Sequence, residues 1–311
     1  MSAIPFRVLP KRQHVNDPIL HPLVSKWLTV ALFVVPGMML FLTFLLIPIA
    51  QSSVFSLYKW NGFGPLEDFR LFQNYELLFK DKVFLSSVLH SVVLIILSLI
   101  IQLPLSLSLA LLVGRGELPG RRIFRTILFI PYVFSEVITA IIWLYVLNPR
   151  NGLMNVILAL FIPNYENIGM LGDPDLALFG VFMVLTWKYF GFHMILYMAG
   201  LQGIPKDLEE AARVDGAREW DVLRYITLPM LSPTLRLTIY LSIVGALQQF
   251  TIVWVMTTGG PVNSTQTIAT YLFKFGIQRF APGYGSAVAV VLFTATFVFS
   301  LLYPRYVMRE R

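Results

Sequence analysis

The chain has 311 residues, 57% of them hydrophobic and only 13% charged, with a mean hydropathy of +0.71. A soluble domain carries about 45–50% apolar and about 25% charged residues, so composition excludes one and specifies an integral membrane protein. The absence of cysteine excludes a disulfide framework and thiolate metal sites, and the net charge of +7 sits at the ends of apolar runs, which fits membrane topology and not nucleic-acid binding.

The first 26 residues are polar, with prolines and no small-residue cleavage site, so a cytoplasmic N-terminal segment 1–26 is expected and no cleavable signal. Charge-free windows then mark the spans. No Asp, Glu, Lys or Arg lies between Lys26 and Lys59, Lys82 and Arg115, Arg236 and Lys274, or Arg279 and Arg305. The window from Arg125 to Arg150 holds only Glu136, and that from Asp175 to Lys206 only Lys188. Each accommodates the roughly 20 apolar residues that cross a bilayer. The expected fold is an all-α membrane protein with six transmembrane helices, at 27–50, 83–113, 123–147, 177–203, 235–257 and 285–304. They make one domain, 27–304, followed by a short tail, 305–311. Pro36, Pro104 and Pro131 are tolerable inside spans because neighbouring helices can satisfy the freed carbonyls.

With both termini on one side, that side carries 16 Lys and Arg and the other 7, with Lys188 inside a span. The positive-inside rule then places both termini in the cytoplasm. On the outer side, Asn151–Phe161 is apolar but too short to span, so it is expected at the interface or capping the bundle. On the cytoplasmic side, "GRGELPG" (Gly114–Gly120) lacks the G-x-G-x-x-G spacing and follows a membrane helix, so it reads as a tight turn. His14, His21, His90 and His193 are dispersed without ligand spacing, and no metal site is expected.

The densest charge run, "EEAARVDGAREWDVLRYITLPM" (Glu209–Met230), falls in a cytoplasmic loop, 205–233. Pro205 closes the preceding helix, and Asp207 stands three residues before Glu210, a capping-box spacing. Ala211 and Ala212 leave a bare face, and Gly216 is placed to end the helix in the left-handed conformation. A second short helix is expected from Arg218 to Ile226, with re-entry into the membrane at Leu228–Pro229. A rigid charged helix pair at the membrane surface suits a docking element, in which Glu210 and Asp215 would pair with basic residues of a partner.

Glu210-Ala211-Ala212, then Gly216, then Ile226-x-Leu228-Pro229 resembles the EAA loop of membrane subunits of ATP-binding-cassette (ABC) importers. "GLQGIPKDLEEAARVDGA", "ILFIPYVFSEVITAIIW" and "TTGGPVNSTQTIATYLF" resemble the carbohydrate-uptake branch, of the maltose and glycerol-3-phosphate type. The resemblance implies a permease fold whose EAA coupling helices dock into a cytoplasmic ATPase, through Glu209, Glu210, Ala211, Ala212, Asp215, Gly216, Leu228 and Pro229. It also implies a second related permease, two ATPase copies that hold ATP and Mg, an extracellular or periplasmic solute-binding protein, and a sugar substrate. No cofactor is expected on this chain itself, because no G-x-x-x-x-G-K-[S/T] motif occurs. Gly259-Gly260-Pro261, a turn after the fifth span, would serve as an external gate element.

Ionisable groups within spans are costly and face cavities or partners. Glu136 lies midway along the third expected span, one turn from Tyr132. Lys188 lies in the fourth, flanked by Trp187 and Tyr189, and the fifth carries Gln248, Gln249 and Phe250. Aromatic faces with amide and carboxylate partners suit a sugar, and these eight residues are expected to line one substrate path. A buried Glu136–Lys188 ion pair is the structural alternative. Among transport functions, a polyamine or phosphate permease is the alternative substrate class. A self-sufficient secondary transporter or channel would show an inverted repeat or a broken-helix pair, and the sequence displays neither. A membrane enzyme would need clustered His, Asp or Glu at one membrane face, which the chain lacks.

Overall fold

A computed structural model describes residues 22–114, 120–163 and 165–308. The expectations for segment 1–21, most of the Gly114–Gly120 turn and the end of the tail lie outside the described residues. The chain divides into two compact units, Met1–Gln51 and Ser52–Arg311. The first unit holds most of helix α1 (Lys26–Phe55), which is long and apolar enough to span, with Pro36 inside it and one π-helical turn at Leu42–Leu46.

The second unit is helical: α2 (Gln73–Lys80), α3 (Lys82–Gly114), α4 (Arg121–Val133), α5 (Glu136–Val146), α6 (Leu153–Phe161) and α7 (Ala177–Gln202) form its first half. The second half comprises α8 (Lys206–Val214), α9 (Glu219–Met230), α10 (Ser232–Leu247), α11 (Thr251–Thr257), α12 (Ile268–Ile277) and α13 (Pro282–Tyr306). Among the described residues the only β pairing is an isolated bridge between Tyr58 and Phe69. Helices α1, α3, α7 and α13 are each long and apolar enough to cross a bilayer. The bent pairs α4–α5 and α9–α10 bring the number of candidate spans to six.

Helix α7 occupies the centre. It is apolar on every side, the pattern of a helix with no face toward water, and packs against α3, α4 and α5 on one half and α10 and α11 on the other. Two apolar clusters run along it. Val181, Val184 and Leu185 meet Leu94, Ala140, Ile252 and Val253 in one, and Met194, Tyr197 and Leu201 meet Ala110 and Leu231 in the other. A third joins α2, α3, α12 and α13 through Leu78, Phe84, Tyr271 and Val288.

Lipid tails are as apolar as leucine, so helices in a bilayer associate through close packing and hydrogen bonds. Both are present. A Cβ on Gly191 would stand 2.3 Å from the Leu128 carbonyl oxygen, so α7 crosses α4 at backbone contact. The hydroxyls of Ser98 (α3) and Ser242 (α10) meet at 2.7 Å, and Thr238 donates to the Tyr197 hydroxyl at 2.8 Å.

Several sequence expectations are corrected. The third span is not one helix: α4 and α5 meet at 100° across Phe134–Ser135. Pro131 cannot donate to the ladder, and Phe134 and Ser135 are extended, with ψ of 147° and 153°. Ser135 Oγ then accepts from the Ile138 N–H at 3.2 Å and starts α5 afresh. The fifth span is interrupted at Gln248–Phe250, between α10 and α11. Broken helices, which the sequence does not display, are therefore a main feature of the bundle. The last helix is longer than expected, Pro282–Tyr306, and the short helix α12 is additional to the expected set.

Candidate functional site

The α4–α5 break is held by two successive residues of α7. Lys188, buried at 4% exposure, donates from Nζ to the Tyr132 carbonyl at 2.9 Å, to the Pro131 carbonyl at 3.5 Å, and to the Phe134 carbonyl. These are carbonyls that the end of α4 leaves without helical partners. Tyr189 donates its hydroxyl to Glu136 Oε1, on the first turn of α5. An acid there meets the positive end of the half-helix. The Glu136–Lys188 ion pair does not form; the cation is satisfied by carbonyl oxygens.

Beside the break lies a cavity of about 440 Å³. Tyr132, Glu136, Tyr189, Gln248, Gln249 and Phe250 all line it, so both interruptions, in α4–α5 and in α10–α11, open onto one space. Two of the eight expected residues do not. Trp187 stacks on Phe134 with centroids 6.5 Å apart and meets Trp143 edge-on at 5.6 Å, which keeps it on the flank of the break. Lys188 lines an adjoining recess of about 490 Å³ with Phe129, Val133 and Phe134, and Tyr132, Glu136 and Tyr189 stand in the walls of both spaces. A single turn of α7 cannot aim three consecutive residues at one space.

The cavity also uses residues that sequence reasoning missed: Ser98 and Gln102 from α3, Phe192 and His193 from α7, and Ser242 from α10. Phe192 stacks on Tyr132 at 4.8 Å and 17°, making a broad aromatic wall. His193 and Gln249 are 3% and 7% exposed, and the His193 Nδ1 and Gln249 Nε2 atoms are buried without a partner. A signal for these residues exists in the sequence. A search for any hydrogen-bonding side chain within an apolar window finds Ser98, Gln102, His193 and Ser242, whereas a search for charge does not.

The Gly259–Pro261 turn is fixed from within its own loop. Gly259 has φ +83°, and Thr265 Oγ1 donates to the Gly260 carbonyl at 2.8 Å. Thr267 Oγ1 donates to the Gln249 carbonyl at 2.8 Å, so the same loop is tied to the α10–α11 break.

At the other end of α7 stand α8 and α9. Helix α8 starts after Pro205 with no side-chain cap, and Asp207 lies within its first turn, so the expected capping box is absent. Glu210, Ala211 and Asp215 are exposed and Ala212 is half-buried. Glu209 is buried at 6% exposure and accepts from Thr227 Oγ1 of α9 at 2.8 Å, so it faces inward and not toward a partner. Arg213 donates to Glu219 at 2.6 and 3.2 Å, and this contact holds the Glu219 carboxyl below its usual range. Gly216 has φ +89°; its N–H bonds the Arg213 carbonyl while the Ala217 N–H bonds that of Ala212, the closure that a left-handed residue makes possible. Helix α9 runs on through Leu228 and Pro229 to Met230, beyond its expected end at Ile226, with a π-helical stretch at Leu223–Thr227. The pair borders a groove of about 650 Å³, lined among others by Arg121, Lys206, Glu210 and Arg213.

Comparison with known proteins agrees with this architecture. The sequence signature of the family described as "Binding-protein-dependent transport system inner membrane component" matches residues 102–310. The lactose transport system permease protein LacF of Rhizobium radiobacter is 35% identical over 292 residues, 93% of this chain and 95% of that protein. The trehalose/maltose transport system permease protein MalF of Thermococcus litoralis is 32% identical over 272 residues, covering 88% and 91%. The diacetylchitobiose uptake system permease protein NgcF of Streptomyces coelicolor is 33% identical over 274 residues, covering 85% and 77%. Among solved structures, a chain of a bacterial ABC transporter that imports the acidic polysaccharide alginate superposes with a TM-score of 0.79 at 25% identity, covering 91% of this chain and 96% of that one. Signature, relatives and fold agree: the chain belongs to the inner membrane components of binding-protein-dependent transport systems, the permease subunits of ABC transporters.

Proposed function

We propose that this permease carries a sugar or sugar derivative across the cytoplasmic membrane, through the cavity where its two broken helices meet. The observation that carries the reading is the cavity's chemistry. A stacked Tyr132–Phe192 wall offers an apolar face, while Glu136, Gln248, Gln249 and His193 offer hydrogen-bonding groups. A pyranose has the complementary surfaces, apolar ring faces and a rim of hydroxyls. Named relatives carrying lactose, trehalose or maltose, and diacetylchitobiose support the same class. A polyamine would call for several carboxylates, and Glu136 is the one acid among the described lining residues.

In this reading both termini are cytoplasmic, and α8 and α9 form the docking surface for an ATPase that binds ATP and Mg. Glu210 and Asp215 are among the acids exposed on this surface, and a second related permease completes the pathway. A solute-binding protein delivers substrate to the outer face, near the Gly259–Pro261 turn. The alginate importer, solved with its oligosaccharide-bound periplasmic protein, supplies the fold-level precedent.

The test is uptake into proteoliposomes that hold this chain, its partner permease and the ATPase, with the binding protein outside. Sugar accumulation should require all components, and Glu136→Gln or Gln249→Ala should alter rate or preference while the complex stays assembled. Transport by this chain with no ATPase present would refute the assignment, and so would unaltered uptake in both variants.

A further inference from the structure

We propose that a cationic recess beside the α11–α12 loop receives a carboxylate side chain of the solute-binding protein, with Lys82 as its counter-ion. The inference rests on the import reading above and gives its outer docking step a place and a chemistry. The recess, of about 270 Å³, is lined by Lys82, Ser86 and His90 of α3 and by Val262, Asn263 and Ser264 of the loop. Helix α3 runs from this recess to Gly114, which lines the groove beside α8 and α9. The recess and the proposed ATPase surface therefore lie at opposite ends of one helix long enough to span a bilayer.

The charge here is uncompensated. Among the described residues no acid lines the recess, and neither Lys82 nor Lys274 forms an ion pair with a described residue. Lys274 Nζ donates to Asn263 Oδ1 at 3.1 Å, which brings a second cation to the loop wall. Asp81, the acid next to Lys82 in sequence, is engaged elsewhere: it accepts from the Val83 and Phe84 N–H groups and from the Tyr271 hydroxyl. The group that complements the recess is therefore an anion from outside the described chain. The loop is also built as a fixed surface. Thr265 Oγ1 donates to the Gly260 carbonyl at 2.8 Å, the Ser264 N–H bonds the Pro261 carbonyl, and His90 Nδ1–H donates to the Gln266 carbonyl at 2.9 Å, which ties the loop to α3. Held in this way, Val262 stands 87% exposed at φ +48°, a conformation that a β-branched residue rarely adopts. A rigid apolar knob beside a cationic recess suits a protein surface that presents a carboxylate next to an apolar patch. The tie from Thr267 to the Gln249 carbonyl lets docking on this loop bear on the α10–α11 break.

The experiment uses the assembled transporter in nanodiscs and measures, by fluorescence anisotropy, the Kd of its labelled solute-binding protein. Lys82→Gln should raise Kd about threefold or more, and Lys82→Glu about tenfold or more, because a like charge then faces the incoming carboxylate. Lys274→Gln should act in the same direction, and the wild-type Kd should rise more steeply with salt than that of Lys82→Gln. Arg150→Glu, the same charge change at an exposed site between α5 and α6, should have a smaller effect than Lys82→Glu. An Asp→Lys or Glu→Lys replacement on the binding protein should restore affinity for Lys82→Glu while weakening it for the unaltered chain. Co-elution of all subunits checks that each variant assembles. Unchanged Kd in Lys82→Glu would overturn the inference and leave the import reading standing; loss of bound phosphatidylglycerol from that variant would then reassign the recess to a lipid headgroup. An equal effect of Arg150→Glu would overturn it too, in favour of the general field of the outer face. No binding to the wild-type complex would overturn the docking reading itself, and this inference with it.

Discussion

Lys188 shows how a cation can sit in a membrane bundle without a direct ion pair. Its three acceptors are backbone carbonyls released by the α4–α5 break, and charge-assisted hydrogen bonds are about twice as strong as neutral ones. Lys188 is therefore a positioning residue: it fixes the end of α4 and, through it, Tyr132 on the cavity wall. Lys188→Met would leave several buried carbonyls without donors, at about 1–3 kcal/mol each. The purified complex should then unfold at a lower temperature, by an amount equivalent to roughly 3 kcal/mol. Lys188→Arg should retain more stability than Met, because the guanidinium still donates. An unchanged unfolding midpoint for Lys188→Met would show that the carbonyls find other partners. The neighbouring contact is separable: Tyr189→Phe removes the hydroxyl from Glu136 while leaving Lys188 in place, and should change sugar preference more than stability.

At the scale of elements, the charged loop is legible in sequence because its signals are local. Gly216 stands where a helix must end, and it takes φ +89° there, with nothing within 4 Å of the point a Cβ would occupy. Space is not the constraint; backbone conformation is. Gly216→Val should cost about 1–2 kcal/mol and weaken ATPase co-purification, whereas Gly216→Asn should be tolerated, since asparagine visits the left-handed region. Equal loss with both variants would point to a side-chain clash against the partner instead. Glu209 is not legible in its true role. Two adjacent acids look alike in sequence, yet one turn of helix sends Glu209 onto Thr227 and Glu210 to the surface. Glu209→Ala should loosen α8 from α9 even with the ATPase absent, seen as faster amide exchange in α8, while Glu210→Ala should leave that exchange unchanged. The helix breaks escape for a related reason. Pro131 is visible, but neighbouring groups can hold a proline-bearing span straight or let it break. What decides here is Lys188, 57 residues away, placed to receive the freed carbonyls.

For the molecule as a whole, the candidate spans and their order are readable because each window with no more than one charge measures a bilayer thickness, and that constraint is global. Which side chains share a cavity is readable only in part. Tyr132, Glu136, Gln248 and Gln249 fall together, but of the three neighbours on α7 Tyr189 lines both the cavity and the adjoining recess, Lys188 only the recess, and Trp187 neither. The asymmetry of 16 Lys and Arg against 7 is the basis of the proposed orientation, on which the side of every loop depends. The chain lacks cysteine, so single cysteines can report that orientation without background. Asn61→Cys, between α1 and α2, and Asn151→Cys, between α5 and α6, should react with an impermeant maleimide added outside intact cells. Ala217→Cys, between α8 and α9, should react only once the membrane is opened, and less so when the ATPase is bound. All three sites lie in connecting segments, so folding should survive each change. Labelling of Ala217→Cys from outside would invert the topology. It would also remove α8 and α9 from the side where ATP is available, and with it the proposed coupling role of Glu210 and Asp215.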